Sequence, residues 1–416
     1  MRYIILLLLI IYIIITAYNK SNISDYYIPA TIDTVRWGYF YKNLEPIMHI
    51  NSGEVVTIET LTHHCGDDYD RMIKGDTNVE QIFYWRNKKN INRRGAGNLY
   101  DKKKGAGEGA GVHLITGPIY VNGAEPGDVL KIDILAIEPR PSKNPDYYGR
   151  YFGSNMAAHW GFQYKLHEEK KEVVTIYEVE PNTNTASMCF NYKWEPLTDP
   201  SGIYHEQYNY PGLISDLSKV KINTVNTNLK VNLRPHFGLI GVTPEYDERV
   251  TSIPPSRFGG NMDNWRAGVG STIYLPVEIK GAGFVVGDPH ACQGDGELCG
   301  TAIEFSMTGT FRITLIKKSN ITFPIIETKK EWVIQGYTYN NYLHQLVKPQ
   351  KTIYDVSSLD LAMRDAYYKT LKFLQDKQLT HDESVSLMGV GVDYGITQVV
   401  NGNWGVHAII QKSIFM

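Results

Sequence analysis

A chain of 416 residues in which 42 lysines and arginines meet 44 aspartates and glutamates has a formal net charge of −2. That balance offers no basic surface to a nucleic acid and no acidic run that would keep a tail solvated and disordered. The length supports two or three subdomains around a substantial core, and 29 tyrosines, 37 glycines and 19 prolines lean toward strands and turns.

The N-terminus, MRYIILLLLIIYIIITAY (1–18), sets Arg2 before an unbroken apolar run over 4–16. It is too short for a comfortable bilayer span, which needs about 20 residues, and is expected to be a signal peptide. The body is then secreted or in the endomembrane lumen, with no stable membrane span once the signal is removed. Residues 15–17 offer an imperfect cleavage site, so an uncleaved signal would leave a membrane anchor. Sequons at Asn19, Asn22 and Asn320 agree with a secreted glycoprotein. Four cysteines, Cys65, Cys189, Cys292 and Cys299, allow three pairings.

Three stretches repeat one pattern, a glycine turn followed by alternation at period two: 52–61, 126–135 and, more faintly, 270–277. Each reads as a half-buried strand of one β-rich body. Between the first two lie a polar cluster, His63-His64-Cys65-Gly66-Asp67-Asp68, and a glycine-rich loop from Arg93 to His113. The loop lacks the Gly-Lys-Ser/Thr ending of a phosphate cradle and reads as a flap or series of turns. Residues 139–230 read as a proline-rich connection, polar strands and surface turns, with turns expected at 181–187.

The stretch 258–304 concentrates Asp263, Asp288, His290, Gln293, Asp295, Glu297 and Glu304 among glycines. Strands over 272–277 and 284–286 are expected to pair as a hairpin turned at 280–283, with the polar residues in tight turns beyond. The C-terminal part changes character. A helix is expected from Ser357 as cap, with Leu359, Met363, Ala366, Tyr367, Leu371 and Leu374 on its apolar face. A second helix is expected over 382–388 behind Thr380 and Glu383. The expected fold is mostly β, in sandwich- or barrel-like layers, with an α/β C-terminal region. It divides into an N-terminal β-rich domain (19–235), a central β domain carrying the site (236–335) and the C-terminal region (336–416).

GGNMD (259–263), GSTIYLPV (270–277), GDPHACQGDGE (287–297) and CGTAIE (299–304) resemble the signature of the acetamidase/formamidase family. So do HLITGPIYVNGAEPGDVLKIDILAIEP (113–139), FGSNMAAHWGF (152–162), HFGLIGVTP (236–244) and GITQVVNGNWGVHAII (395–410). The resemblance implies hydrolysis of the C–N bond of a small linear amide, a divalent metal and a homo-oligomer.

An amide is a poor electrophile with a poor leaving group, and a bound metal answers both by activating water and polarising the carbonyl. Asp263, His290 and Glu297 are the expected metal ligands. Zinc suits this mixed set, while calcium or magnesium would suit a more oxygen-rich one. Glu304, Gln293 and Glu297 are the expected catalytic residues, and His64, Glu108, His113 and Asn261 the expected substrate contacts. Two alternatives stay open. One is a cysteine nucleophile, Cys292 or Cys299, activated by Glu297 or Glu304. The other is a secreted binding protein on an amidase scaffold.

Overall fold

The computed structural model describes residues 24–83, 111–158, 161–166, 172–194, 215, 217–346 and 357–415. The signal segment, Asn19, Asn22, Glu108 and most of the glycine-rich loop lie outside the described residues.

Alternation at period two builds the first sheet. In Val55–Thr60, Val56 and Ile58 turn inward; in Val129–Pro139 Leu130, Ile132 and Ile134 do so, and in Thr272–Pro276 Ile273 and Leu275. The three look-alike stretches thus enter one nine-stranded sheet. Its order is Tyr26–Ile28, Val55–Thr60, Met307–Ile316, Val129–Pro139, Thr272–Pro276, Ile325–Glu327, Glu331–Tyr337, Gly405–Gln411 and Val392–Gln398.

The second sheet has twelve strands, with Phe284–Cys292 at its centre, bonded to His236–Gly241, Leu114–Val121 and Ile303–Glu304. The inward residues of the first sheet meet Ile115, Ile119, Phe237, Leu239, Phe284 and Val286 of the second in one apolar core. Each such side chain contributes roughly 1.5–3 kcal/mol when fully buried. The result is a β-sandwich, mostly β as the sequence suggested.

The expected hairpin across 280–283 does not form. Thr272–Pro276 pairs with Val129–Pro139 and Ile325–Glu327, while Phe284–Cys292 lies in the other sheet. The turn between them carries the chain across the sandwich, fastened by Gly281 N–H to the Ala124 carbonyl and by Thr243 N–H to the Ala282 carbonyl. Nor does the second strand end at Val286; it continues through Gly287-Asp288-Pro289-His290 to Cys292. Residues 185–187, expected in a turn, begin the strand Thr185–Trp194.

Two helices, Leu359–Asp376 and His381–Gly391, lie on the outer face of the nine-stranded sheet. The first comes so close to Glu331–Tyr337 that a Cβ on Gly336 would stand 2.6 Å from Ala366 Cα, which is why glycine occupies that position. Ser358, not Ser357, caps it, accepting from Leu361 N–H. Its buried face is Ala362, Ala366, Lys369, Thr370, Phe373 and Leu374, with Met363 exposed, so the face against the sheet is rotated from the expected apolar stripe. The second helix has the expected Thr380–Glu383 capping box. Among the described residues no helix is long and apolar enough to cross a membrane.

Arg140 pins the first sheet to the segment that follows Val55–Thr60. Its guanidinium lies 3.0 Å from Glu59 Oε2 and 2.8 Å from Asp76 Oδ2. Burial alone would raise both carboxyls, but Arg140, with Tyr27 and Ala30 at Glu59 and Lys143 at Asp76, outweighs it and holds both below their ordinary values. Arg140→Ala leaves Glu59 without its cation and Asp76 with Lys143 alone, 3.2 Å away, and is expected to cost about 2–3 kcal/mol. Because the folded-state values are depressed, this contribution is full above the unfolded values of about 4 and fades as pH falls through the folded ones. Urea midpoints of wild type and variant should therefore converge between pH 7 and pH 3. A constant gap would mean that Arg140 acts by packing alone.

Candidate active site

Pairing across the second sheet sets the site. His236 lies opposite His290, His290 opposite Glu304, and Glu304 opposite Ser154. A side-by-side row on one sheet face is a direct consequence of the strand repeat. Asp288, two residues before His290, joins it on the same face.

The row fixes the tautomer of His290. His236 Nδ1–H donates to the Arg234 carbonyl at 2.6 Å, which leaves His236 Nε2 an acceptor. His290 Nδ1–H is shared between that nitrogen, at 3.1 Å, and Gln293 Oε1, at 3.2 Å. His236 Nε2 also lies 2.9 Å from Gln293 Oε1, which closes a triangle of polar contacts among the three side chains. His290 Nε2 is thereby aimed at carboxylates, 3.2 Å from Asp288 Oδ2 and 3.2 Å from Glu304 Oε1. A lone pair facing two carboxylate oxygens needs a proton or a cation between them.

Loops complete the enclosure. Asp263 follows the short strand Gly259–Asn261, and Glu297 lies in the turn after Phe284–Cys292. Asp263, Asp288 and Glu297 have φ of +46°, +50° and +46°. Each non-glycine residue in that region costs about 1–2 kcal/mol, and strain of this kind gathers at functional sites. Gly238 lies beneath them: a Cβ there would overlap Asp263 Oδ1 and stand 2.6 Å from His290 Cε1 and 2.7 Å from Asp288 Oδ2. Asn401, from the turn between the last two strands, donates to Asp263 Oδ2 and to the Asn261 carbonyl.

His63, His113, Asn261, Asp263, Asp288, Glu297, Glu304 and Asn401 surround a small cavity open on one side; Val112, Ile253 and Val400 form its apolar side. Several buried atoms there have no hydrogen-bond partner: His63 Nδ1, Asn261 Oδ1, Asp263 Oδ1, Asp288 Oδ1, His290 Nε2 and Glu297 Oε2. Three sets of donors each lie within 4.8 Å of one another: His63–His113–Asp288, Asp263–His290–Glu297 and Asp288–His290–Glu304.

Without a cation, protons settle the electrostatics. Burial, reinforced by the Asp288 charge, raises Asp263 to about 7. Burial and Asp263 push Glu297 well up, and burial and Asp288 raise Glu304. For Asp288 burial works upward as well, but His113, His290 and His63 hold it well below the usual carboxylate range. Burial opposes the charged form of His290, yet Glu304 and Asp288 raise it well above an ordinary histidine. Burial lowers His63 and His113.

Of the residues expected from sequence, Asp263, His290, Glu297, Glu304, His113 and Asn261 come together here. Glu108 lies outside the described residues. Gln293 does not line the cavity; it ties the His236–His290 pair to the Asp263 carbonyl through its Nε2 at 2.7 Å. His64 turns away to Asp67 at 2.7 Å, and Asp67 also accepts from Ser154. Its neighbour His63 faces the cavity, because successive residues of the 3-10 turn His63–Asp67 point in different directions. Asp288, His236, Gly238 and Asn401 were not assigned from sequence. Asp288 carried a local signal, its two-residue spacing from His290, while His236, Gly238 and Asn401 carried only their place in the stretches 236–244 and 395–410 that resemble the family. The four cysteines are free thiols. Cys292 donates to the Asn232 carbonyl and Cys299 to the Thr301 carbonyl, and neither lines the cavity, which removes the geometric basis for a cysteine nucleophile.

Gln293→Ala removes the acceptor shared with His290 and the donor to Asp263 O. It is expected to lower stability by about 1–3 kcal/mol in chemical denaturation, the cost of unpaired buried groups. A change below about 0.5 kcal/mol would show that the row stands without it.

A family-wide profile described as "Acetamidase/Formamidase family" matches residues 108–416. An acetamidase of Mycolicibacterium smegmatis is 28% identical over 236 residues, 51% of this chain and 56% of that protein. A formamidase of Methylophilus methylotrophus is 26% identical over 323 residues, 67% of this chain and 70% of that protein. The aligned part thus spans little more than half of the first relative and about two thirds of the second. Among solved structures, an acetamidase from Bacillus halodurans superposes with a TM-score of 0.62 at 21% identity, covering 93% of this chain and 98% of that one, a likeness of fold. With its family profile matched over most of its length, this chain belongs to the acetamidase/formamidase family.

Proposed function

We propose that this protein hydrolyses the C–N bond of a small linear amide to carboxylate and ammonia, with a divalent cation held by Asp263, His290 and Glu297. The observation that carries the reading is the buried cage of unpartnered carboxylate and imidazole atoms around a small cavity. The relatives named acetamidase and formamidase support the same substrate class. One nitrogen and two carboxylates suit zinc. When bound, the ion would supply Lewis-acid polarisation of the carbonyl and a more acidic water.

The protein's own residues have distinct parts. His290, its other nitrogen committed to His236 and Gln293, offers a fixed lone pair. Glu304 accepts from Thr62 Oγ1 at 3.3 Å and stands beside His290. It is placed to take a proton from the attacking water and return it to the departing nitrogen. Asn261 Oδ1, unpartnered, can accept from the substrate NH2 group. Val112, Ile253 and Val400 would face the acyl group and limit its size. The same reading keeps an exported protein, on the 1–18 segment, and a homo-oligomer.

The test is ammonia release from formamide, acetamide and propionamide together with metal content, before and after chelation. Activity should vanish on chelation and return with zinc. Undiminished turnover by metal-free protein would remove the metal, and bound metal without turnover on any amide would remove the hydrolase. Glu304→Gln should lower kcat by about 10²–10⁴-fold, the range for loss of a general acid–base; a change under tenfold would move that role elsewhere. Ile253→Ala should raise the propionamide-to-formamide ratio of kcat/KM by about 10-fold or more, the worth of one methylene against a wall. An unchanged ratio would mean that Ile253 does not meet the acyl group.

A further inference from the structure

We propose that Asp295 is a positioning residue, an outer latch that holds the turn bearing Glu297 against the loop that begins at Asp263. The inference rests on the reading that these two carboxylates act together in the cavity, and it concerns a contact outside that cavity.

Asp295 stands between Gly294 and Gly296, and nothing packs on those neighbours: a Cβ on either would meet no atom within 4 Å. Gly296 has φ of +97° and Glu297 of +46°. Asp295 is therefore the one side chain by which the segment 294–296 can be gripped. Its Oδ1 accepts from Trp265 Nε1–H at 2.9 Å and from Arg266 Nη1 at 3.2 Å. Both donors belong to the loop that starts at Asp263, itself at φ +46° and closed by Ala267 N–H to the Asn264 carbonyl. The latch thus joins a residue two before Glu297 to a residue two after Asp263.

The donors are held in turn. Guanidinium groups of Arg266 and Arg234 lie 4.3 Å and 4.4 Å from the Trp265 ring centre. Two cations over one indole favour a carboxylate at its N–H. Glu331 Oε2, 3.9 Å from Arg266 Nε, is beyond hydrogen-bond reach, so Asp295 is the near one. Gln293 makes the inner tie between the same two segments, through the Asp263 carbonyl. The outer tie is needed because left-handed backbone at Asp263 and Glu297 persists only where its surroundings over-determine it. A misplacement of about 1 Å at reacting groups can cost about 10²-fold in rate. Asp295 is 44% exposed, and exposed ion pairs contribute little to stability. Its loss should therefore appear in rate and local opening, with little change in unfolding.

The experiment compares full-length wild type with Asp295→Ala and Asp295→Asn, the second of which keeps an oxygen acceptor. Hydrogen exchange read by mass spectrometry reports the latch without substrate. Asp295→Ala should speed exchange several-fold in both 263–268 and 293–298, where Ala267, Gly296 and Glu297 N–H groups are hydrogen-bonded. Faster exchange confined to 293–298, or none, would overturn the inference. On acetamide, Asp295→Ala should lower kcat by about 10-fold with KM within about twofold, and Asp295→Asn should recover most of the loss. Exchange that rises in both segments while kcat is unchanged would overturn the positioning role. Equal loss in the two variants, or a urea midpoint that falls together with kcat, would overturn it as well. Wild type that turns over no amide would overturn the proposed function, and the exchange result would still decide the latch.

Discussion

Four carboxyl groups and three histidines share one buried enclosure, and the surrounding structure serves to keep them there. Removing an ionised carboxylate from water costs several kcal/mol even after relaxation. To that the site adds left-handed backbone at Asp263, Asp288 and Glu297. A chain tolerates such a concentration of unfavourable terms only when a larger core over-determines the geometry. Here the core is the continuous apolar layer between two extended sheets, with Phe237, Phe284 and Phe311 in contact at its middle.

The enclosure is closed by parts of the chain far apart in sequence. The Glu297 turn is stitched to the C-terminal turn by Gly296 N–H to the Thr397 carbonyl and by Val399 N–H to the Gly296 carbonyl. That brings Asn401 onto Asp263. The helical layer contributes indirectly. Lys369 Nζ, neutralised by Asp365 at 2.6 Å, donates to the Gln335 carbonyl at 3.0 Å. The Gln335 side chain in turn donates to the Met262 carbonyl at 3.3 Å, one residue before Asp263. The helices outside the sandwich thus help define a backbone position inside it.

This division explains what was legible beforehand. Period-two alternation marked the three look-alike strands, because each buries one face, and the dense stretch 258–304 marked most of the cage. The hairpin across 280–283 was misread because local turn chemistry cannot distinguish a return within one sheet from a crossing to another. Which of His63 and His64 faces the cavity depends on the rotation of a single 3-10 turn, and both residues look alike in sequence. Asn401 and His236 act through tertiary pairing alone. The apolar stripe of the first C-terminal helix was displaced because Gly336 lets the helix settle close to the sheet, where Lys369 and Thr370 also become buried.

Asp288 is the residue at which burial, charge and backbone strain meet in this enclosure. Asp263, Glu297 and Glu304 answer burial by holding protons more tightly, whereas Asp288, ringed by His63, His113 and His290, holds its proton least. The enclosure is therefore polarised before any ligand enters, with a fixed negative centre among imidazoles and readily protonated carboxyls around it. Cations and protons compete for the same lone pairs. A cation entering this enclosure displaces protons from groups that burial has made reluctant to ionise, and in doing so turns them into acceptors. The strain at the three left-handed residues and the missing side chain at Gly238 serve that arrangement, because all three carboxylates must approach one another more closely than their charges alone would allow.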